Sequence, residues 1–416
     1  MSKKDNVAAV PKYRFPEFAL DAPIDYVAGG FIFDPITNRN HHADLPILAI
    51  TQEYGAIPRD EIDYKVSVTK KSLKAYKIVE KGDFIISLRS FQGGIEYSMY
   101  DGICSPAYII LRKKTDIIDR YYKYYFKSHR FIQDLNKDLE GIRDGKMISY
   151  SQFSSILLPK PDEEEQQKIA DCLSSIDDLI SVEEKKLSLL NDYKKGWMQK
   201  LFPAKGKTVP EWRFPEFQDN KEWETAKLIN IADYRRGSFP QPYGLAKWYD
   251  EFNGMPFIQV FDVDDNMRLK ATTKNKISKL ASKQSVFIGK GTLIVTLQGS
   301  IGRVAITQYD AYIDRTLLLF EKFYMDIDKV FFAYIIQRLF EIKKQSAPGG
   351  MIKTITKQAL SEFIVKLPER PEQEKIAKFL SGIDDLISTQ TDRIEALKQH
   401  KKALMQGLFP VAEEVL

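Results

Sequence analysis

Residues that build cross-links are scarce in this sequence. Its 416 residues include two cysteines, Cys104 and Cys172, and four histidines, His41, His42, His129 and His400. Thiols so far apart in the chain exclude a disulfide framework and a thiolate metal cage, so both cysteines read as packing residues. The histidines make no HExxH-like spacing, and no metal is expected. No apolar run approaches the roughly 18 residues that a membrane span needs, and Met1 to Val10 carries Lys3, Lys4 and Asp5 but no apolar signal core. A cytoplasmic protein with no membrane partner is expected.

Acid is missing from one long stretch. Between Asn266 and Tyr309 there is no Asp or Glu, while Arg268, Lys270, Lys274, Lys276, Lys279, Lys283, Lys290 and Arg303 are basic. A shorter counterpart holds Lys65, Lys70, Lys71, Lys74 and Lys77, with no acid between Asp63 and Glu80. The net charge of +5 is modest, so the distribution carries the information. Such windows fit a polyanion-binding face, where each Lys or Arg on a phosphate releases a counterion, or a solvated surface balanced by acids folded nearby.

Catalytic signatures are missing too. There is no Asn/Asp-Pro-Pro-Tyr/Phe motif for methylating a flipped base, since Asp34-Pro35-Ile36 lacks the second proline and the aromatic. No Gly-x-x-x-x-Gly-Lys-Ser/Thr loop is present to hold nucleotide phosphates. A nuclease-like pattern can be drawn from Pro161-Asp162 to Glu183-Glu184-Lys185. The intervening sequence reads as one helix, which would hold those carboxylates roughly 30 Å apart, too far to share a metal. A non-catalytic chain is expected.

What is present is a core-forming composition, 44% apolar with 25 Phe and 21 Tyr, and a length suited to two domains. The chain also repeats itself. Gln166-Gln-Lys-Ile-Ala-Asp-Cys-Leu-Ser-Ser-Ile-Asp-Asp-Leu-Ile-Ser181 recurs as Gln373-Glu-Lys-Ile-Ala-Lys-Phe-Leu-Ser-Gly-Ile-Asp-Asp-Leu-Ile-Ser388, and Met198-Gln-Lys-Leu-Phe-Pro203 recurs as Met405-Gln-Gly-Leu-Phe-Pro410, at a constant separation of 207 residues. Upstream, Arg14-Phe-Pro-Glu-Phe18 matches Arg213-Phe-Pro-Glu-Phe217, and Lys81-Gly-Asp-Phe-Ile-Ile-Ser-Leu88 parallels Lys290-Gly-Thr-Leu-Ile-Val-Thr-Leu297. The order is globule, helix, globule, helix, with boundaries at 1–160, 161–203, 204–367 and 368–412. Each globule combines short β-branched and aromatic strands with a closing helix, near Arg120 to Leu139 and Asp328 to Lys344.

The two repeated helices carry a heptad. Its core positions are Ile169, Leu173, Ile176, Ile180, Glu183, Leu187, Leu190, Lys194, Trp197 and Leu201 in the first copy. In the second they are Ile376, Leu380, Ile383, Ile387, Gln390, Ile394, Leu397, Lys401, Leu404 and Leu408. At about 1.5 Å per residue each rod is roughly 60 Å long. A parallel pairing in register would oppose Lys194 and Lys401, so the helices should run antiparallel. The expected register sets Glu183 against Lys401, Lys194 against Gln390, Leu187 against Leu397 and Leu190 against Ile394. An antiparallel rod with a pseudo-twofold axis would put two related globules at opposite ends, facing the same way. That arrangement suits an asymmetric bipartite duplex target; a coiled-coil scaffold without DNA binding is the alternative.

The Arg-Phe-Pro-Glu-Phe openings, the Lys-Ile-Ala…Ile-Asp-Asp-Leu-Ile helices, the Met-Gln-x-Leu-Phe-Pro exits and Leu297-Gln-Gly-Ser-Ile-Gly-Arg-Val-Ala305 together resemble the specificity subunits of type I restriction-modification systems. The resemblance covers essentially the whole chain. It implies an α+β fold, two pseudo-symmetric α/β target-recognition domains separated by a long antiparallel two-helix coiled coil. It further implies double-stranded DNA and two methylation subunits as partners, motor-nuclease subunits as further ones, and S-adenosylmethionine bound by the methylation subunits and not by this chain. One departure stands out: the second half has Glu222-Trp-Glu-Thr-Ala-Lys-Leu228 where the first has Leu20-Asp-Ala-Pro-Ile-Asp25 and no Trp.

Base reading needs forked donors on loops, with Lys, Ser and Thr holding phosphates. Residues of those types in the first half are Lys65, Lys70, Lys71, Lys74, Lys77, Arg89, Ser90 and Gln92. In the second they are Arg235, Arg236, Ser238, Lys270, Lys274, Lys276, Lys279, Lys283, Gln298, Ser300 and Arg303. Gly93, Gly94, Gly237, Gly299 and Gly302 would let the backbone come close to DNA.

Overall fold

The computed structural model describes residues 8–41, 45–62, 70–137, 148–345 and 357–411. The chain forms two compact units, one of residues 1–184 with 393–416 and the other of residues 185–392. The division falls inside both long helices, Glu163–Leu201 and Arg370–Leu408, so each unit holds one globule and part of each helix.

In the first unit an antiparallel sheet runs in the order Phe33–Ile36, Ile109–Lys113, Phe84–Ile86, Glu96–Tyr97. The second unit repeats that order as Ala232–Arg236, Leu317–Phe323, Leu293–Thr296, Val304–Ile306. A further sheet of the second unit has four strands, in the order Asn275–Ile277, Met255–Ile258, Ala311–Ile313, Val286–Ile288. The equivalent region of the first unit holds two strand pairs, Leu48–Thr51 with Gly55–Pro58 and Lys77–Val79 with Gly102–Cys104. The parallel pairing of Phe257 with Tyr312 shrinks there to a single parallel bridge, Ile47 to Ile103.

The cores are aromatic, which accounts for the many Phe and Tyr. Phe33 packs edge-on against Phe84 and Tyr122 with centroids 5.3 and 5.4 Å apart, while Phe331 stacks on Phe202 at 5.4 Å. Such contacts add to the burial of large apolar area. The closing helix of the second unit is continuous, Lys329–Gln345. That of the first is split into Asp119–Tyr125 and His129–Asn136, because Ser128 takes an extended conformation and caps the second piece. Ile24, which is 3% exposed, opens the strand Ile24–Ala28 at the position that Trp223, 2% exposed, takes just before Glu224–Lys227, so a smaller apolar residue fills the place of the missing Trp.

Both units attach the opening motif to a long-helix start by the same bonds. Arg14 grips Glu165 at 2.9 and 2.8 Å, and Arg213 grips Glu372 at 2.9 and 2.6 Å. The Gln166 side chain accepts from the amide of Ile118 and donates to the carbonyl of Pro161. Gln373 does the same with Asp328 and Pro368.

Within each unit the long helices pair antiparallel, as the sequence predicts. In the first unit Asp177 meets Lys401 at 2.6 Å and Glu183 meets Arg393 at 2.9 Å. In the second, Lys194 meets Asp384 at 2.6 Å and Trp197 packs on Phe379. The expected register is corrected: each lysine finds a partner six residues earlier than Glu183 and Gln390, a displacement close to one heptad. The physical reason is reach. A core lysine extends its long stem past the apolar layer to a flanking carboxylate, the first Asp of each Ile-Asp-Asp, and so needs no polar residue in the facing core position to select the register. The carboxylate in turn accepts from a tyrosine of the globule, Tyr124 on Asp177 at 2.9 Å and Tyr334 on Asp384 at 2.5 Å. The lysine nitrogens lie 5.0 and 5.4 Å from the centroids of those rings. The heptad itself holds: Ile169, Leu173, Ile180, Ile376, Leu380, Ile383, Ile387 and Ile394 are buried, and Ile176, Leu187, Leu190, Trp197, Leu397 and Leu404 are half-buried.

Candidate nucleic-acid interface

In the second unit the basic loop after Met255–Ile258 is organised by a buried acid. The Asp262 carboxylate accepts from the amides of Gln259 and Lys274 at 2.8 and 2.9 Å, and its carbonyl accepts from the amide of Lys270. Burial pushes its carboxyl above the usual range although those amides pull it down. Lys270, Lys274, Lys279 and Lys283 are exposed, Lys274 over the ring of Phe261 and Lys279 at the start of a short helix capped by Ser278. Lys276 is half-buried on its strand. Gln298 and Ser300 are exposed on a turn whose far side is fixed by the amide of Gly302 on the carbonyl of Thr296.

Several expected contacts are already engaged. Arg303 forks onto Asp265 at 2.7 and 2.9 Å and also donates to the carbonyl of Val263, so it braces the loop from within. Arg235 pairs with Glu321 across the sheet at 2.6 Å, Arg268 pairs with Asp385 at 2.8 Å, and the Ser238 hydroxyl donates to the carbonyl of Gln284. Arg236 is exposed at the end of its strand, opposite Leu318. Gly237 and Gly302 serve internal packing: a Cβ on the first would lie 2.3 Å from the carbonyl oxygen of Ile313, and one on the second 2.5 Å from Phe340.

In the first unit Arg89 and Gln92 are exposed on the short helix Ser90–Gly93 and the residue before it, and Lys74 is exposed beyond Lys70–Leu73. Lys65 lies outside the described residues, as do the side chains of Lys70 and Lys71. Two assignments are corrected. Lys77 is 8% exposed and its ammonium is turned inward, donating to the carbonyl of Tyr108 at 2.6 Å, so it does not face a phosphate. Ser90 is buried and accepts from the amide of Ser87.

Each unit also has a groove beside its helix pair at the same place in the repeat. In the first, of about 810 Å³, Lys398, Lys401, Lys402, Met405 and Gln406 form part of the lining. In the second, of about 470 Å³, Asn191, Lys194, Lys195, Met198 and Gln199 stand at the matching positions. Among the described residues no three His, Cys, Asp or Glu side chains cluster as a metal site. Among those residues, too, no helix is long and apolar enough to cross a membrane.

The sequence matches the family described as type I restriction modification DNA specificity domain twice, over residues 31–192 and 220–399. The chain belongs to that family. It carries two specificity domains, one in each half of the duplication. Among its relatives is a putative type I restriction enzyme MjaX specificity subunit of Methanocaldococcus jannaschii, 26% identical over 363 residues, covering 84% of this chain and 82% of that one. The MjaVIII specificity subunit of the same organism is 27% identical over 373 residues, covering 84% and 83%. In fold the specificity chain is similar to the S subunit of a type I system from M. genitalium, with TM-score 0.55, 14% identity and coverage of 97% and 100%. A chain from a study of complex assembly and conformational transition of the type I system gives TM-score 0.58, 16% identity and coverage of 92% and 97%.

One exposed arginine of the second specificity domain escapes sequence reasoning. Arg315 stands beside Asp314, five residues after Asp310 and thus outside the acid-free window that drew attention to the lysines. Aligning the repeats strand by strand, not by charge, would have found it.

Proposed function

We propose that this chain is the sequence-reading subunit of a type I restriction-modification complex and performs no catalytic step itself. Each unit reads one half of an asymmetric bipartite duplex, the lysine loops holding phosphates and the turn residues addressing bases. Two methylation subunits dock on the long helices, at the paired grooves, and supply S-adenosylmethionine and adenine methylation; motor-nuclease subunits would add cleavage. The observation that carries this reading is the double match to the specificity family on two units with the same sheet order. Matching groove positions in the two units suit two copies of one partner. Mapping methylated adenines across a genome, with and without this gene, is the test. A bipartite motif that disappears on deletion is the expected result. An unchanged methylation pattern, together with no DNA affinity of the assembled complex, would favour the scaffold instead.

A further inference from the structure

We propose that Arg315 reads a guanine in the half-site of the second unit, an assignment that rests on the DNA-specificity reading above. The strand Ala311–Ile313 ends in a tight turn in which the amide of Leu317 donates to the carbonyl of Asp314 at 3.0 Å, leaving Arg315 at the tip. Asp314 is 2% exposed and its carboxylate is fully used. One oxygen accepts from the amide and hydroxyl of Thr316 at 2.8 and 2.5 Å, and the other accepts from the hydroxyl of Tyr243. On the other side the amide of Gly237 donates to the carbonyl of Leu317 and that of Ser238 to the carbonyl of Ile313, both at 3.1 Å. The turn therefore has a fixed base.

From that base the Arg315 side chain projects exposed, with its guanidinium carbon 4.9 Å from the centroid of the Tyr243 ring. Arg235, Arg268 and Arg303 are each paired with a carboxylate, whereas Arg315 is in no such pair among the described residues. An arginine stacked on an anchored aromatic ring loses little further freedom on binding, and its fork fits the O6 and N7 acceptors of guanine. The exposed lysines of the same unit suit phosphates, which need charge and not orientation.

The first unit carries the same turn without the arginine. The amide of Lys81 on the Asp101 carboxylate and that of Lys290 on Asp310, both at 2.8 Å, fix the correspondence. Beyond the matching strand, Tyr108 donates to the carbonyl of Ser105, and Pro106 occupies the place of Arg315. The guanine contact thus belongs to one half-site only.

The test uses the chain assembled with its methylation subunits, first to obtain the bipartite motif, then to measure binding to duplex oligonucleotides carrying each single-position change. Arg315→Ala should leave one half-site as read and remove discrimination at one G·C position of the other, a loss of roughly ten- to hundred-fold. Arg315→Lys keeps the charge but not the fork and should lose the same discrimination. The proposal is overturned if the alanine variant keeps the wild-type preference at every position, or if alanine only lowers affinity uniformly across sequences and lysine restores it, which would mark a phosphate contact. Tyr243→Phe keeps the ring and frees Asp314; unchanged specificity with lowered thermal stability separates the platform from its anchor. Absence of any bipartite motif with the unaltered chain would instead overturn the proposed function.

Discussion

The two halves agree where residues hold the frame and differ where they face outward. Arg14 with Glu165 and Arg213 with Glu372 repeat the same two-pronged contact, and Tyr124-Asp177-Lys401 repeats as Tyr334-Asp384-Lys194. At the turn tips, by contrast, Pro106 stands in one half and Arg315 in the other. A duplicated chain that needed a symmetric target would have no reason to diverge there. Divergence at the tips over a preserved frame is the pattern expected of two readers with different half-sites.

The largest effect that would break this comparison is on the frame. Arg14→Ala and Arg213→Ala each leave a buried glutamate without its partner, and each should cost about 3–5 kcal/mol of unfolding free energy in chemical denaturation. Similar losses from both are expected because both pairs are almost wholly buried. A loss in one half alone would show that the repeated geometry conceals unequal roles.

The lysine triads sharpen the comparison, for they are alike in partners and unlike in burial. Side-chain exposure is 15% and 10% for Lys194 and Asp384, against 22% and 35% for Lys401 and Asp177. Asp384→Ala should therefore destabilise by about 3 kcal/mol and Asp177→Ala by about 1 kcal/mol, since solvent screens the more open pair. Equal effects would mean that the aspartates act through the tyrosine and not through the lysine.

How much of this was readable beforehand depends on whether a feature is periodic or local. The heptad, the direction of the helix pair and the duplication recur over many residues, and all stand. The register failed because it turned on one rule, that polar core residues pair with one another, while Lys194 and Lys401 reach past the seam. Counting charge along the sequence ignores the alternation of a strand, and so does not separate the buried Lys77 from the exposed Lys74. The engagement of Arg303 and Arg235 is not legible in the sequence, because the acids that pair with them, Asp265 and Glu321, lie 38 and 86 positions away.

Exposed lysines should give a smaller, graded effect on DNA binding by the assembled complex. Each of Lys274→Ala, Lys279→Ala and Lys283→Ala that removes a phosphate contact should lower the steepness of log affinity against log salt by about 0.9. The change should be uniform across target sequences. A variant that alters base preference would place that lysine among the readers.

The smallest effect is expected at Lys77, where the second unit has Val286 at the matching strand position. Lys77→Val should leave the salt dependence of DNA binding unchanged, because the buried ammonium reaches Tyr108 and not solvent. Its signature is instead in stability against pH. Burial lowers the lysine pKa in the folded chain, so on the alkaline side, below the ordinary value of about 10.4, the unfolded chain holds more protons than the folded one. Stability of the wild type should therefore carry a rising contribution with pH in that window, and the valine variant should lack it. Subtracting the two denaturation profiles between neutral and alkaline pH isolates the term. A falling difference would mean that the hydrogen bond to Tyr108 outweighs the burial of the charge.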